Sequence, residues 1–315
     1  MSIIMPAYNA GEYIGAAIGG VLSQTHPDVE LVVIDDGSTD DTYRIASGFG
    51  DRIVLLQQRN RGQAAARNTG IEVATGDVLA LCDSDDVLLP NYVAKALAVL
   101  EKAPDRSWVT CAAMLLTDDG LVDYGVSPFG VILPERQREA IFQMNFVSIF
   151  SVFPRRMFDQ VGPFTDELRR CEDWEYWVRA MVSGWRVAFQ TEPAAMYRRH
   201  GAGNLSANAE AMMDAEDALF AGIATRLGDA LSDRDRALLE SRVSHGSPPR
   251  LRQRARSAWA AGDFRQAASL LRVAARDYSQ YGDLRRKALV AGLAAPVLES
   301  LPNWVPLRRM ARGRL

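Results

Sequence analysis

Several absences narrow this chain before any motif is considered. Its 315 residues include only three cysteines, Cys82, Cys111 and Cys171, far apart and with no CxxC pair. That argues against a disulfide framework and a thiolate zinc site, and fits a reducing cytoplasm. The most apolar late stretch, Ala288 to Leu298, is about half the length needed to span a bilayer and contains Pro296. The N-terminus has no basic region and its apolar run stops at Pro6, so no secretory leader is expected. Phosphate-binding loops are missing too. No GxGxxG follows the first apolar run, and GxxxxGK(S/T) does not occur. Any phosphate must then be held by a metal and by isolated basic groups.

The composition, 48% hydrophobic and 24% charged, is that of an ordinary globular protein with room for one large or two modest domains. The net charge of -3 is unevenly spread. Residues 241–315 hold 15 Lys/Arg against 4 Asp/Glu, leaving 21 against 35 in the first 240 residues. A basic C-terminal module that approaches something anionic is implied.

Four β-rich runs open the chain, Ser2–Met5, Glu30–Ile34, Arg52–Leu56 and Val78–Cys82, separated by helical stretches Gly11–Gln24, Thr39–Phe49 and Gln63–Ala74. Near-continuous apolar strands alternating with helices predict a parallel sheet covered on both faces. Right-handed crossovers then bring the strand C-termini to one edge, where ligands of open α/β sheets bind. That edge collects Tyr8-Asn9, Asp35-Asp36-Gly37-Ser38 and Asp83-Ser84-Asp85. A helix from Pro90 to about Ala103 follows, then a mixed region with strands near Val109–Leu116, Ser148–Phe153 and Val187–Phe189. A further helix is expected from Glu172 to about Ser183. From Ala209 onward the pattern is helical. Ala258–Ala268 reads as the turn of one tetratricopeptide-type hairpin, with Ser247-Pro248-Pro249 as a hinge before it.

The densest chemistry lies in Leu79–Asp86, where an apolar run delivers Asp83, Asp85 and Asp86 to a strand end. Crowded carboxylates repel and resist desolvation, a conflict that Mg²⁺ or Mn²⁺ shared with phosphate would remove. An acidic turn that merely solvates the strand end is the plainer alternative. Asp83 and Asp85, two residues apart, face the same side in extended chain. Asp35-Asp36 could accept hydrogen bonds from a base or ribose, or form the turn before a helix capped by Ser38 or Thr39.

Taken together, Ile3–Asn9, Val33–Asp40, Asn60–Asn68 and Cys82–Asp86 resemble a family 2 glycosyltransferase over roughly residues 1–200. The resemblance implies an α/β GT-A fold, a Rossmann-like, mostly parallel sheet flanked by helices, over residues 1–205, with 206–315 as a helical extension, basic from about 241. It implies a nucleoside-diphosphate sugar as donor, UDP first, contacted by Pro6, Tyr8, Asp36, Arg67, Asp83 and Ser84. Asp85, with Asp83 and His200, would hold Mn²⁺ or Mg²⁺. Arg67 matches the family's arginine near the sugar diphosphate, although a helix-face salt bridge would place it there equally well. In Cys171–Trp177, Asp173 matches the family's general base and Glu172 its supporting partner, where an acidic helix start otherwise serves the helix dipole. Trp174 is a candidate for stacking on a sugar, and Trp177 a core residue.

The family's processive members carry QxxRW and membrane helices. Here Gln253 is followed by Arg256 and Ser257, which favours single-sugar addition. The expected acceptor is a hydroxyl on a glycan or lipid-linked molecule, as in polysaccharide biosynthesis. The basic tail, with Trp304 and Leu307-Arg308-Arg309, would touch the inner face of the cell membrane as a peripheral protein, form a homodimer, or cap the catalytic domain. No nucleic-acid partner is expected. A catalytically silent nucleotide-sugar-binding scaffold is the alternative, and a nucleotidyltransferase is disfavoured because Pro6–Glu12 lacks a triphosphate loop.

Overall fold

In the computed structural model, residues 1–117, 119–125, 130–199, 208–277 and 282–300 are described. The chain divides into two compact units, Met1–Ala209 and Glu210–Leu315.

The first unit begins with the expected alternation: β1 (Ser2–Ala7), α1 (Ile14–Leu22), β2 (Glu30–Asp35), α2 (Thr42–Ser47), β3 (Val54–Gln57), α3 (Gln63–Val73) and β4 (Val78–Leu81). β5 (Val87–Leu88), α4 (Tyr92–Leu100), β6 (Ser107–Thr117), β7 (Gly120–Gly125), α5 (Pro134–Ile141), β8 (Ser151–Pro154), α6 (Arg155–Val161), α7 (Glu172–Val182) and β9 (Arg186–Arg198) follow. Among the described residues these strands form one nine-stranded sheet, ordered β3-β2-β1-β4-β8-β6-β9-β5, with β7 on β6. The β3-β2-β1-β4 half is parallel. Beyond it β8 runs antiparallel to both β4 and β6, and β9 parallel to β6. β1 and β2 read as unbroken apolar sequence because both of their faces are covered; Ile3, Ile4, Val32, Val33 and Ile34 are all fully buried.

Helix α3 can lie close to this sheet because Gly70 has no side chain. A Cβ there would collide with Ile34 and Ile4. Aromatic stacking holds α7 on the other half, with Trp177 stacked on Trp108 at 5.5 Å between ring centroids and Tyr176 on Phe164 at 4.1 Å. Trp177 is fully buried, as a core residue should be.

Pro6 decides where the central strands part. Cys82 N donates to Ile4 O, so Pro6 is the next β1 residue turned toward β4. Having no N–H, it cannot extend that ladder. The chain after β4 is thereby released into the Asp83–Asp86 turn. On the other side β1 continues, Asp36 N donating to Ala7 O.

The second unit contains α8 (Ala209–Leu227), α9 (Asp233–His245), α10 (Pro248–Ala261), α11 (Phe264–Asp277) and α12 (Gly282–Ser300). α10 and α11 form the expected hairpin, turning at Gly262 with φ +86°. Ser247-Pro248-Pro249, expected as a hinge, lies at the start of α10: the Ser247 hydroxyl accepts from Arg250 N, and Pro248 fills the tolerated first position. The seam of this unit comprises Leu251, Ala255, Trp259, Phe264, Leu271 and the small side chains Ala288, Ala291 and Ala295. Trp304 and Leu307–Arg309 lie outside the described residues.

Candidate active site

The β1 and β2 exits are laced together by short polar side chains. Asn9 N donates to Ser38 Oγ at 2.9 Å, and Thr39 N to Asn9 Oδ1 at 2.8 Å. Gly11 N and Ala10 N donate to Asp40 Oδ2 and Thr42 Oγ1. The expected side-chain cap of α2 by Ser38 or Thr39 is absent, because both are used in this lacing. Tyr8, between these loops, stays half exposed at 51%, with its ring available to a planar ligand.

Asp36, at the end of β2, is 3% exposed. Its Oδ1 accepts from Gln58 Nε2 at 2.7 Å and Arg61 N at 2.9 Å, and its Oδ2 from Gly62 N at 2.7 Å. The carboxylate thus anchors the Gln58–Gly62 loop and the start of α3. Gly62 has φ +94°, a backbone conformation that residues with a Cβ rarely adopt, which favours glycine there.

Arg67 is the central surprise. Only 1% exposed, it donates from Nη1 to Glu172 Oε1 at 2.7 Å and from Nη2 to Asp83 Oδ1 at 3.0 Å. Its guanidinium also lies 5.8 Å from the Phe164 ring centre. The expected phosphate-facing fork is therefore a buried bridge between the β4 exit and the start of α7. Glu172 is 5% exposed and paired with Arg67.

At the β4 exit, Asp83 also accepts from Gln63 Nε2 at 2.7 Å. Asp85 is partly exposed, and Ser84 is buried at 9%. Asp86 is buried; its Oδ1 accepts from Arg198 N at 2.8 Å, while Arg198 Nε donates to the Asp85 carbonyl at 2.9 Å. Burial, then Asp85 and Asp83, push the Asp86 carboxyl well above the usual carboxylate range. Among the described residues no three His, Cys, Asp or Glu side chains could enclose a cation by themselves. Asp83 and Asp85 do fit a hard cation that takes its remaining ligands from phosphate oxygens. His200 lies outside the described residues.

Helix α7 opens at Cys171, in the left-handed region at φ +60°. Its first turn carries Glu172, Asp173 and Glu175 at the positive end of the helix. Asp173 is half-buried, and its Oδ2 accepts from Asn145 Nδ2 at 3.1 Å. Burial and the neighbouring Glu172 raise its carboxyl to about 6, opposed by Arg67, the Trp174 N–H and Asn145. Glu175 is fully buried and chelated by Arg179 Nε at 2.9 and 3.0 Å, a structural pair. Trp174, expected to face a sugar, is 5% exposed and donates its indole N–H to Ile141 O at 2.7 Å. The structure spends it on joining α7 to α5. Pro6, likewise expected at the donor, is buried within β1 and acts through the strand break.

Asn145, Gln63, Gln58 and Arg198 were not singled out for these roles in the sequence. Each supports a carboxylate from a distant segment, and no local pattern marks them.

A mixed sheet with an acidic turn at the exit of a central strand and a carboxylate at a facing helix start is a GT-A fold. It superposes on S. aureus TarS 1–349 in complex with UDP-GlcNAc with a TM-score of 0.62 at 18% identity, covering 91% of this chain and 89% of that one. On the mannosyltransferase PcManGT from Pyrobaculum calidifontis, in complex with GDP-Man and Mn²⁺, the TM-score is 0.57 at 19% identity, covering 93% and 86%. The chain belongs to glycosyl transferase family 2, whose family model matches residues 2–160. It is 30% identical over 237 residues to an uncharacterised glycosyltransferase of Nostoc sp., covering 71% of this chain and 72% of that protein. Against one from Rickettsia prowazekii it is 28% identical over 232 residues, covering 72% of each. The protein is a glycosyltransferase.

Proposed function

We propose that the first unit is an inverting glycosyltransferase. It moves one sugar from a nucleoside diphosphate, UDP first, to a hydroxyl of a glycan or lipid-linked acceptor. The observation that carries this reading is Asp173, a half-buried carboxylate raised to about 6 and held by Asn145 at a helix start. A base of that strength is ionised at neutral pH yet basic enough to take a proton from the attacking hydroxyl. Arg67 and Asn145 favour its charged form, against burial and the neighbouring Glu172. Tyr8 offers its exposed face to the base of the nucleotide, and Asp36 fixes the loop beside it.

Asp83 and Asp85 would hold Mn²⁺ or Mg²⁺ with the diphosphate, and the bound cation would offset the charge developing on the leaving group. The Mn²⁺ in the PcManGT complex and the nucleotide sugars in both neighbours support this donor class. In polysaccharide biosynthesis such acceptors reside at membranes, and the basic helical unit is the part suited to the inner membrane surface.

A thermal-shift screen of UDP- and GDP-sugars, with and without Mn²⁺, tests the reading. One donor should raise Tm in a metal-dependent manner. Asp173→Asn should keep that shift while transfer stops. Unchanged turnover in Asp173→Asn would remove Asp173 from the role, and the absence of any donor shift would favour a chain that does not use nucleotide sugars.

A further inference from the structure

α12 is apolar on two opposite sides. From Ala288 to Leu298 it carries no charged side chain. Ala288, Ala291 and Ala295 are buried in the seam of the helical unit, at 6%, 0% and 2% exposure. Leu289, Val290, Leu293 and Val297 are exposed at 64%, 61%, 71% and 60%. At about 100° per residue, these four fall within roughly 100° of arc, facing away from the alanines. A surface helix normally turns charged residues outward, so four adjoining aliphatic side chains in water imply something that covers them.

The surrounding charge indicates what that is. Arg286, exposed, shares the outer face one turn before Leu289 and Val290, and Lys287 adjoins it. Residues 241–315 carry 15 Lys/Arg against 4 Asp/Glu. A second copy would bring this positive surplus against itself. The stripe is also only ~12 Å long at 1.5 Å per residue, too small for the ~800 Å² per partner of a stable protein interface. A narrow aliphatic stripe with cationic residues at its end suits the headgroup–acyl boundary of an anionic bilayer.

We propose that the outer face of α12 docks on an anionic phospholipid surface. Leu289, Val290, Leu293 and Val297 enter the boundary, and Arg286 and Lys287 meet headgroup phosphates. This names the residues for the membrane reading above and rests on it, while leaving glycosyl transfer independent.

Flotation of the full chain with vesicles tests it without reference to catalysis. The vesicles are phosphatidylcholine alone, or phosphatidylcholine with roughly a third phosphatidylglycerol. The wild type should float only with the anionic vesicles, and Leu289→Ser/Leu293→Ser should weaken binding at least tenfold. Both positions are exposed, so the alanine seam is untouched and helix content by circular dichroism should hold. If it falls, Arg286→Glu/Lys287→Glu carries the test and should abolish the dependence on phosphatidylglycerol. A wild type that does not float, or variants that float equally well, would overturn the proposal. So would a wild-type dimer that the Leu289→Ser/Leu293→Ser change converts to a monomer with no lipid binding in either form.

Discussion

Two acidic clusters in the first unit share a composition and differ in how their charge is balanced. The β4 exit gathers Asp83, Asp85 and Asp86, and the α7 start gathers Glu172, Asp173 and Glu175. At α7 each carboxylate has a counterpart: Arg67 for Glu172, Asn145 for Asp173, Arg179 for Glu175. At the β4 exit burial, then Asp85 and Asp83, raise the Asp86 carboxyl, against the backbone N–H and the charge of Arg198. On the reading proposed above, the first arrangement would tune a carboxylate for proton transfer. The second, on the same reading, would take a cation shared with diphosphate.

The largest expected break in this contrast is Asp173→Asn. Transfer should fall by about 10²–10⁴-fold, the usual scale for a lost general base, measured as turnover at saturating donor. Stability should not fall with it. A carboxyl whose folded pKa lies near 6, above its unfolded value, binds more protons folded than unfolded between about 4 and 6, so it lowers stability as pH rises through that window. The amide removes that penalty, and Tm at neutral pH should hold or rise.

Arg67→Leu attacks both clusters together, since Arg67 is what joins them. Leaving Asp83 and Glu172 without their shared cation should cost about 3–5 kcal/mol in denaturant unfolding. Near-native stability would mean that the bridge contributes little.

pH dependence sharpens the comparison further. Activity should rise with pH through a midpoint near 6 as Asp173 ionises. Asn145→Ala removes a donor that favours the charged form, so the midpoint should move upward, with a smaller loss of kcat than in Asp173→Asn. A profile unmoved by Asn145→Ala would detach that side chain from the base.

The mildest change is Asp85→Asn. It should abolish the Mn²⁺-dependent part of the donor thermal shift while leaving the Tm of the ligand-free protein almost unaltered. An equal metal response in both proteins would shift the cation away from Asp85.

The parallel half of the sheet was legible because strands buried on both faces read as continuous apolar runs, and β1, β2 and β4 fall within a residue or two of expectation. β9 was not: only Val187–Phe189 was expected of its 13 residues, because Gln190-Thr191-Glu192-Pro193 breaks the apolar pattern. α5 and α6 are too short and too charged to show periodicity. Within the site, Asp36, Asp83 and Asp85 stood out by residue type and spacing, and Asp173 through the family resemblance. The burial of Arg67 could not, since it depends on Asp83 and Glu172 converging from strands and helices far apart in sequence. Trp174 misled for the same reason, its partner being a backbone carbonyl that any residue at position 141 would supply.

The turn after β4 carries a last consequence, for how this sequence tolerates change. Asp86 is held by the backbone N–H of Arg198, while the Asp85 carbonyl is held by the Arg198 side chain. The first tether survives any replacement at position 198 except proline, which alone lacks the N–H. The second is lost with almost every replacement. Drift at this one position would therefore leave Asp86 anchored while loosening the Asp85 backbone, a graded adjustment of the acidic turn without its collapse.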